Sequence, residues 1–101
     1  MTRRAARTDA NHAAIRDGLR SIPGVTVADT SAAGNGFPDL VAGFAGINTL
    51  LEVKDGDKPP SERRLTPQQE AFRDGWRGQY AVVTSLDEAV RIVCPCYADR
   101  K

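Results

Sequence analysis

Histidine and cysteine are scarce in this chain, with one His and two Cys in 101 residues. Cys94 and Cys96 are separated only by Pro95. That spacing is shorter than the gap of a structural zinc knuckle, and a lone His12 does not complete a four-ligand set. The cysteines are therefore expected to be reduced thiols rather than zinc ligands. No segment approaches the roughly twenty apolar residues that cross a bilayer, so no membrane partner is expected. The Arg-rich N-terminus lacks the apolar stretch of a secretory signal, and a cytoplasmic protein is expected. An excess of one charge is missing too. Lys and Arg number 14 against 13 Asp and Glu, a formal +1, so bulk charge gives no sign of nucleic-acid binding.

What is present fits one domain, residues 1–101, with one sheet and a few helices around a modest core. Arg3, Arg4, Arg7, Arg16 and Arg20 outnumber Asp9 and Asp17 near the N-terminus, either as phosphate clamps or as solvated surface charge. Thr8 or Asp9 can cap a first helix with apolar positions Ala13, Ala14, Ile15 and Leu19, stopped by Pro23-Gly24. Val25 to Ala28 reads as a strand, and Ser31 to Gly36 holds too much glycine for regular structure. Asp39 to Phe44 and Ile47 to Lys54 are two further strands, joined by a tight turn at Ala45-Gly46.

Pro59-Pro60 marks Asp55 to Arg64 as a loop. Thr66-Pro67 opens a second helix with an apolar side of Ala71, Phe72 and Trp76, ended by Gly78. These rings and Tyr80 read as core rather than base-stacking residues. Tyr80 to Thr84 is expected to be a buried strand, and Ser85 caps a helix to about Val93, with an irregular tail from Cys94. The order helix, three strands, helix, strand, helix predicts an α/β fold, a mixed sheet flanked by helices.

Strand alternation carries the chemistry. Glu52 and Lys54 emerge on one face of their strand while Val53 points into the core, and the hairpin brings Asp39 beside Glu52. Two carboxylates and an amine suit a divalent cation and a water attacking a phosphodiester. Oxygen ligands favour Mg²⁺ or Mn²⁺ over zinc. Gln69 has two readings: a capping-box residue reaching back to Thr66, or a side chain on the site, one side chain not easily doing both. Gly34 and Gly36 read first as turn glycines, with a phosphate approach at Gly36 as the second reading. His12 reads as a surface or capping-turn residue.

Together with this order, the segments Gly36-Phe-Pro-Asp-Leu40, Leu51-Glu-Val-Lys-Asp55 and Leu65-Thr-Pro-Gln-Gln69 closely resemble the VRR-NUC branch of the PD-(D/E)XK nuclease superfamily. The resemblance runs from about Asp9 to about Val93 and is greatest to the small stand-alone phage or bacterial members. It implies a restriction-endonuclease-like core and a metal-dependent endonuclease on DNA, on structured or branched substrates in the manner of a Holliday-junction resolvase, working as a homodimer in a bacterial or phage-infected cell. It implies Asp39, Glu52 and the Val53 carbonyl as metal ligands, Lys54 at the attacking water, and Gln69 looking onto the same site. The family often adds a first-helix glutamate. Here Asn11 is the nearest counterpart, ahead of His12 and Asp9, and an amide binds a cation more weakly than a carboxylate. Lys58, Arg63 and Arg64, in the loop after Lys54, are expected to contact substrate together with Gly36. A non-catalytic DNA-binding or assembly module with the same fold, and a nuclease acting on RNA, are the alternatives.

Overall fold

A computed structural model describes residues 8–99 and leaves out the side chains of Ala98 and Asp99. Arg3, Arg4 and Arg7 lie outside the described residues. The elements follow as α1 (His12–Arg20), β1 (Val25–Asp29), β2 (Leu40–Phe44), β3 (Ile47–Val53), a single 3-10 turn (Pro60–Glu62), α2 (Pro67–Gly75), β4 (Gln79–Val83), α3 (Leu86–Val93) and α4 (Pro95–Asp99). The expected order is therefore present. The tail is a correction, since Pro95 begins a short helix instead of an irregular end.

The four strands form one mixed sheet in the order β1-β2-β3-β4. The first three run antiparallel and β4 joins β3 in parallel. The β2–β3 hairpin turns on Ala45 and Gly46, with φ of 54° and 81°. Two positive φ values in a two-residue loop match the right-handed twist of the flanking strands. The register pairs Leu40 with Leu51 and Ala42 with Thr49, so these four share a face, together with Val25, Val53 and Val83. Helices α1 and α3 cover that face. Ile15, Leu19, Ala89 and Val93 meet Leu40, Leu51, Val53 and Val83 there to form the core. The opposite face carries Val41, Leu50, Glu52, Tyr80 and Val82.

Three expectations change. Ala13 and Ala14 are exposed, and the buried stripe of α1 is His12, Ile15 and Leu19. His12 is not a surface residue: it is 4% exposed, with Nε2 3.0 Å from Asp29 Oδ2. β4 is an edge strand, with Val82 41% exposed and only Val83 fully buried. A run of β-prone residues does not reveal whether a strand will be flanked on one side or two.

Candidate functional site

Asp39 enters β2 from the glycine-rich turn, and β1 holds its backbone in place. The Thr30 N–H donates to the Asp39 carbonyl at 2.8 Å, and the Thr30 hydroxyl to the Pro38 carbonyl at 2.7 Å. Asp39 Oδ2 in turn accepts from the Val53 N–H at 2.9 Å. One step beyond the Leu40–Leu51 pair, Asp39 comes opposite Glu52. The turn that delivers it needs Gly36 for a reason of packing. At φ +82°, an added Cβ would stand 2.4 Å from the Gln68 carbonyl oxygen, so only glycine lets the turn rest against the start of α2. That contact gives Gly36 a packing role.

Glu52 is 2% exposed on the face away from the main core. Its Oε2 accepts from Gln69 Nε2 at 3.0 Å, while Oε1 is buried with no partner. Burial, first of all, pushes the Glu52 carboxyl up to about 8; the Asp39 charge and the close approach of the two carboxyls add to this, and Lys54 pulls the other way. Among the described residues no group of three or more His, Cys, Asp or Glu side chains surrounds a common point. The donor set is two carboxylates, one with an orphaned buried oxygen. It fits a hard cation that completes its shell with backbone carbonyls, water and substrate oxygens.

Gln69 takes both roles that the sequence set against each other. Its backbone N–H donates to Thr66 Oγ1 at 3.2 Å and its Oε1 accepts from the Thr66 N–H at 2.9 Å, a complete capping box. The same Oε1 accepts from Lys54 Nζ at 2.9 Å, while Nε2 faces Glu52. A carbonyl oxygen has two lone pairs, so it serves both donors. The amide is locked in one orientation and connects the ammonium to the carboxylate.

Asn11 bonds the backbone beside Lys54. It sits at the N-cap of α1 without capping it, and Nδ2 donates to the carbonyls of Lys54 at 3.1 Å and Thr84 at 2.9 Å. The amide therefore ties the C-terminal ends of β3 and β4 together, leaving Oδ1 buried without a partner. Asp9 is the acid of this segment that bears on the site, because its charge adds to the upward push on Glu52. Lys58 stands 3.7 Å from Asp9. Arg64 is exposed and Arg63 half-buried with an unpartnered Nε.

Tyr80 was missed as a site residue. It shares the face of Glu52, two positions along the register. Its hydroxyl is buried without a partner and is pushed up to about 12, by burial first and then by the Glu52 charge. Alternation on β4 puts Tyr80 and Val82 on one face, but nothing in the sequence says which face is closed. The two cysteines are free thiols, Cys94 buried and Cys96 exposed. No protein-family model, curated protein or solved structure matches the chain.

Proposed function

We propose that this chain is a metal-dependent DNA endonuclease of the VRR-NUC type, built on a restriction-endonuclease-like core. The observation that carries the reading is the pairing of half-buried Asp39 with buried Glu52, which keeps an unsatisfied oxygen, and Lys54 held nearby through Gln69. A buried carboxylate with an unpartnered oxygen costs folding free energy, and such sites concentrate where function needs them.

Asp39, Glu52 and the Val53 carbonyl are the groups that would hold Mg²⁺ or Mn²⁺, which supplies charge neutralisation and Lewis-acid activation of the phosphodiester. Asp9 is the acid best placed to act from the N-terminal side, with Asn11 engaged on the backbone. Lys54 orients the attacking water and offsets the negative charge that grows on the phosphate. Gln69 fixes the Lys54 ammonium so that it does not collapse onto Glu52. The Tyr80 hydroxyl offers a donor on the same face. Hydrolysis forms a bond from the water oxygen to phosphorus and releases the sugar oxygen as an alcohol.

Two copies acting together belong to the same reading. The uncharged edge strand Gln79–Val83 gives them a surface for pairing strand to strand. A light-scattering mass of a single chain, with and without DNA, contradicts the dimer. The activity is tested on matched branched, linear duplex and single-stranded DNAs and on RNA, with Mg²⁺ and with Mn²⁺. Cleavage of DNA in either metal supports the endonuclease. Tight DNA binding without cleavage in both metals supports a binding or assembly module, a reading favoured only by the lack of a third acidic ligand in the cluster. Preferential cutting of RNA replaces DNA as the substrate.

A further inference from the structure

No residue of α2 is buried, yet one stripe of the helix is organised. Gln69, Phe72 and Trp76 follow at steps of three and four residues, the spacing that aligns side chains on one face. Gln69 ends the stripe at Glu52. At the other end the Trp76 ring stacks on Phe72, with centroids 5.2 Å apart and planes 17° from parallel. Phe72 is braced in turn by Phe37, edge-on at 5.2 Å, and by Tyr80 at 6.3 Å. Gly78 lies against the indole edge, where an added Cβ would stand 2.8 Å from Trp76 Nε1.

The indole is thus fixed from beneath, and it remains 39% exposed. An exposed indole already stacked on one ring is suited to take a further ring. The residue after each aromatic is an arginine. Arg73 follows Phe72 and pairs with Asp74 at 2.9 Å, and Arg77 follows Trp76 and donates to the Asp74 carbonyl at 3.0 Å. An exposed indole with arginines exposed on both sides of it in the chain matches the two chemistries of a single nucleic-acid strand, flat bases and anionic phosphates.

We propose that Phe72 and Trp76 form a stacking platform for an unpaired nucleobase of the strand whose phosphate lies at Asp39 and Glu52. The assignment of that phosphate rests on the nuclease reading above. From Gln69 to Trp76 is about 10 Å along the helix axis, at 1.5 Å per residue. That distance spans about three nucleotides at the spacing of a stacked strand. The platform therefore engages a base left unpaired a few nucleotides from the cut, which a blunt duplex does not offer.

Trp76 is the only tryptophan of the chain, so its emission reports the platform directly. The protein is titrated in EDTA, where no cleavage occurs, with a short single-stranded oligodeoxynucleotide. An abasic strand of the same length and charge and a blunt duplex serve as comparisons. The expected result is quenching by the base-containing strand, with roughly tenfold weaker binding of the abasic strand. Trp76→Ala, followed by anisotropy of a labelled strand, loses a similar factor, and Trp76→Tyr recovers most of it. Equal binding of the base-containing and abasic strands, equal quenching by blunt duplex, or unchanged binding by Trp76→Ala overturns the proposal. So does an emission shift that follows protein concentration without DNA, which assigns the ring to a second copy. The two readings fail separately. Quenching by single strands with no cleavage in any metal removes the nuclease and leaves the platform. Cleavage that requires Asp39, with abasic and normal strands bound alike, does the reverse.

Discussion

Gln69 Nε2 donates to Glu52 Oε2 across 3.0 Å, from a side chain whose other end closes the cap of α2 and receives Lys54. Helix start and site geometry are therefore one structure. Gln69→Ala is expected to lower stability by about 1 kcal/mol through the cap and cleavage by roughly 10- to 100-fold through the lost orientation of Glu52 and Lys54. Thr66→Ala removes the cap acceptor but leaves Gln69 free to reach Glu52. It should lose a similar amount of stability while keeping most of the activity. Equal loss of activity in the two variants would mean that Gln69 matters only as a cap. Chemical denaturation and a nicking assay measure both effects.

Glu52→Gln has opposite expected effects on stability and activity. At 2% exposure, with Oε1 unpartnered and Asp39 adjacent, the carboxylate is poorly accommodated in the metal-free protein. The amide keeps an oxygen to accept from Gln69 and gains N–H groups to donate toward Asp39. In EDTA at pH 8 the variant should melt at a higher temperature than the parent, and it should not cleave DNA. A lower melting temperature would mean that the carboxylate stabilises the fold and is not held there for chemistry.

Acid sensitivity should have a component from Asp29. Partial burial raises its carboxyl, but this is outweighed by hydrogen bonds from Ser31, His12 and Arg16, which hold it well below the usual carboxylate range. A folded-state value depressed below the unfolded one adds stability that is present above about pH 4 and fades as the pH falls through the folded value. Asp29→Asn is expected to cost about 1–3 kcal/mol at pH 7, because Arg16 loses its charged acceptor. Its deficit against the parent should shrink below about pH 4. A constant deficit across that range, in denaturation series at stepped pH, would exclude the ionised carboxylate as the cause.

The β2–β3 hairpin contains a strained residue. Ala45 lies at φ 54°, in the left-handed region that costs an L-residue roughly 1–2 kcal/mol. Ala45→Asn creates the Asn-Gly pair that this turn favours and should stabilise the protein by about 0.5–1 kcal/mol. The substitution lies at the far end of the hairpin from Asp39, so DNA cleavage should be unchanged. A neutral or destabilising result in thermal melts would show that the turn is not limited by that conformation.

Much of this architecture can be read along the chain because its determinants are local. Thr66, Pro67 and Gln69 specify the start of α2, Ser85 with Glu88 specifies that of α3, and alternation separates Glu52 and Lys54 from Val53. The misreadings share a non-local cause. His12 is buried by its pairing with Asp29, 17 residues away. The first helix starts after Asn11 rather than from a Thr8 or Asp9 cap, and the Asn11 amide bonds carbonyls 43 and 73 residues on. The apolar side of α2 has the periodicity of a core helix, but the aromatic cluster leaves Trp76 open. Periodicity gives a preferred face and says nothing of what covers it. Gln69 serves both the cap and the site because an amide offers several donor and acceptor positions.

The central claim is that Asp39 and Glu52 form a metal-dependent hydrolytic site. The most direct measurement follows supercoiled and branched DNA with the parent protein and with Asp39→Asn, in Mg²⁺, in Mn²⁺ and in EDTA, with folding of the variant verified by circular dichroism. The account predicts cleavage by the parent in at least one of the two metals, none in EDTA, and a loss of roughly 100-fold or more in the variant. Cleavage by Asp39→Asn at the parent rate, or parent activity undiminished by EDTA, would contradict it.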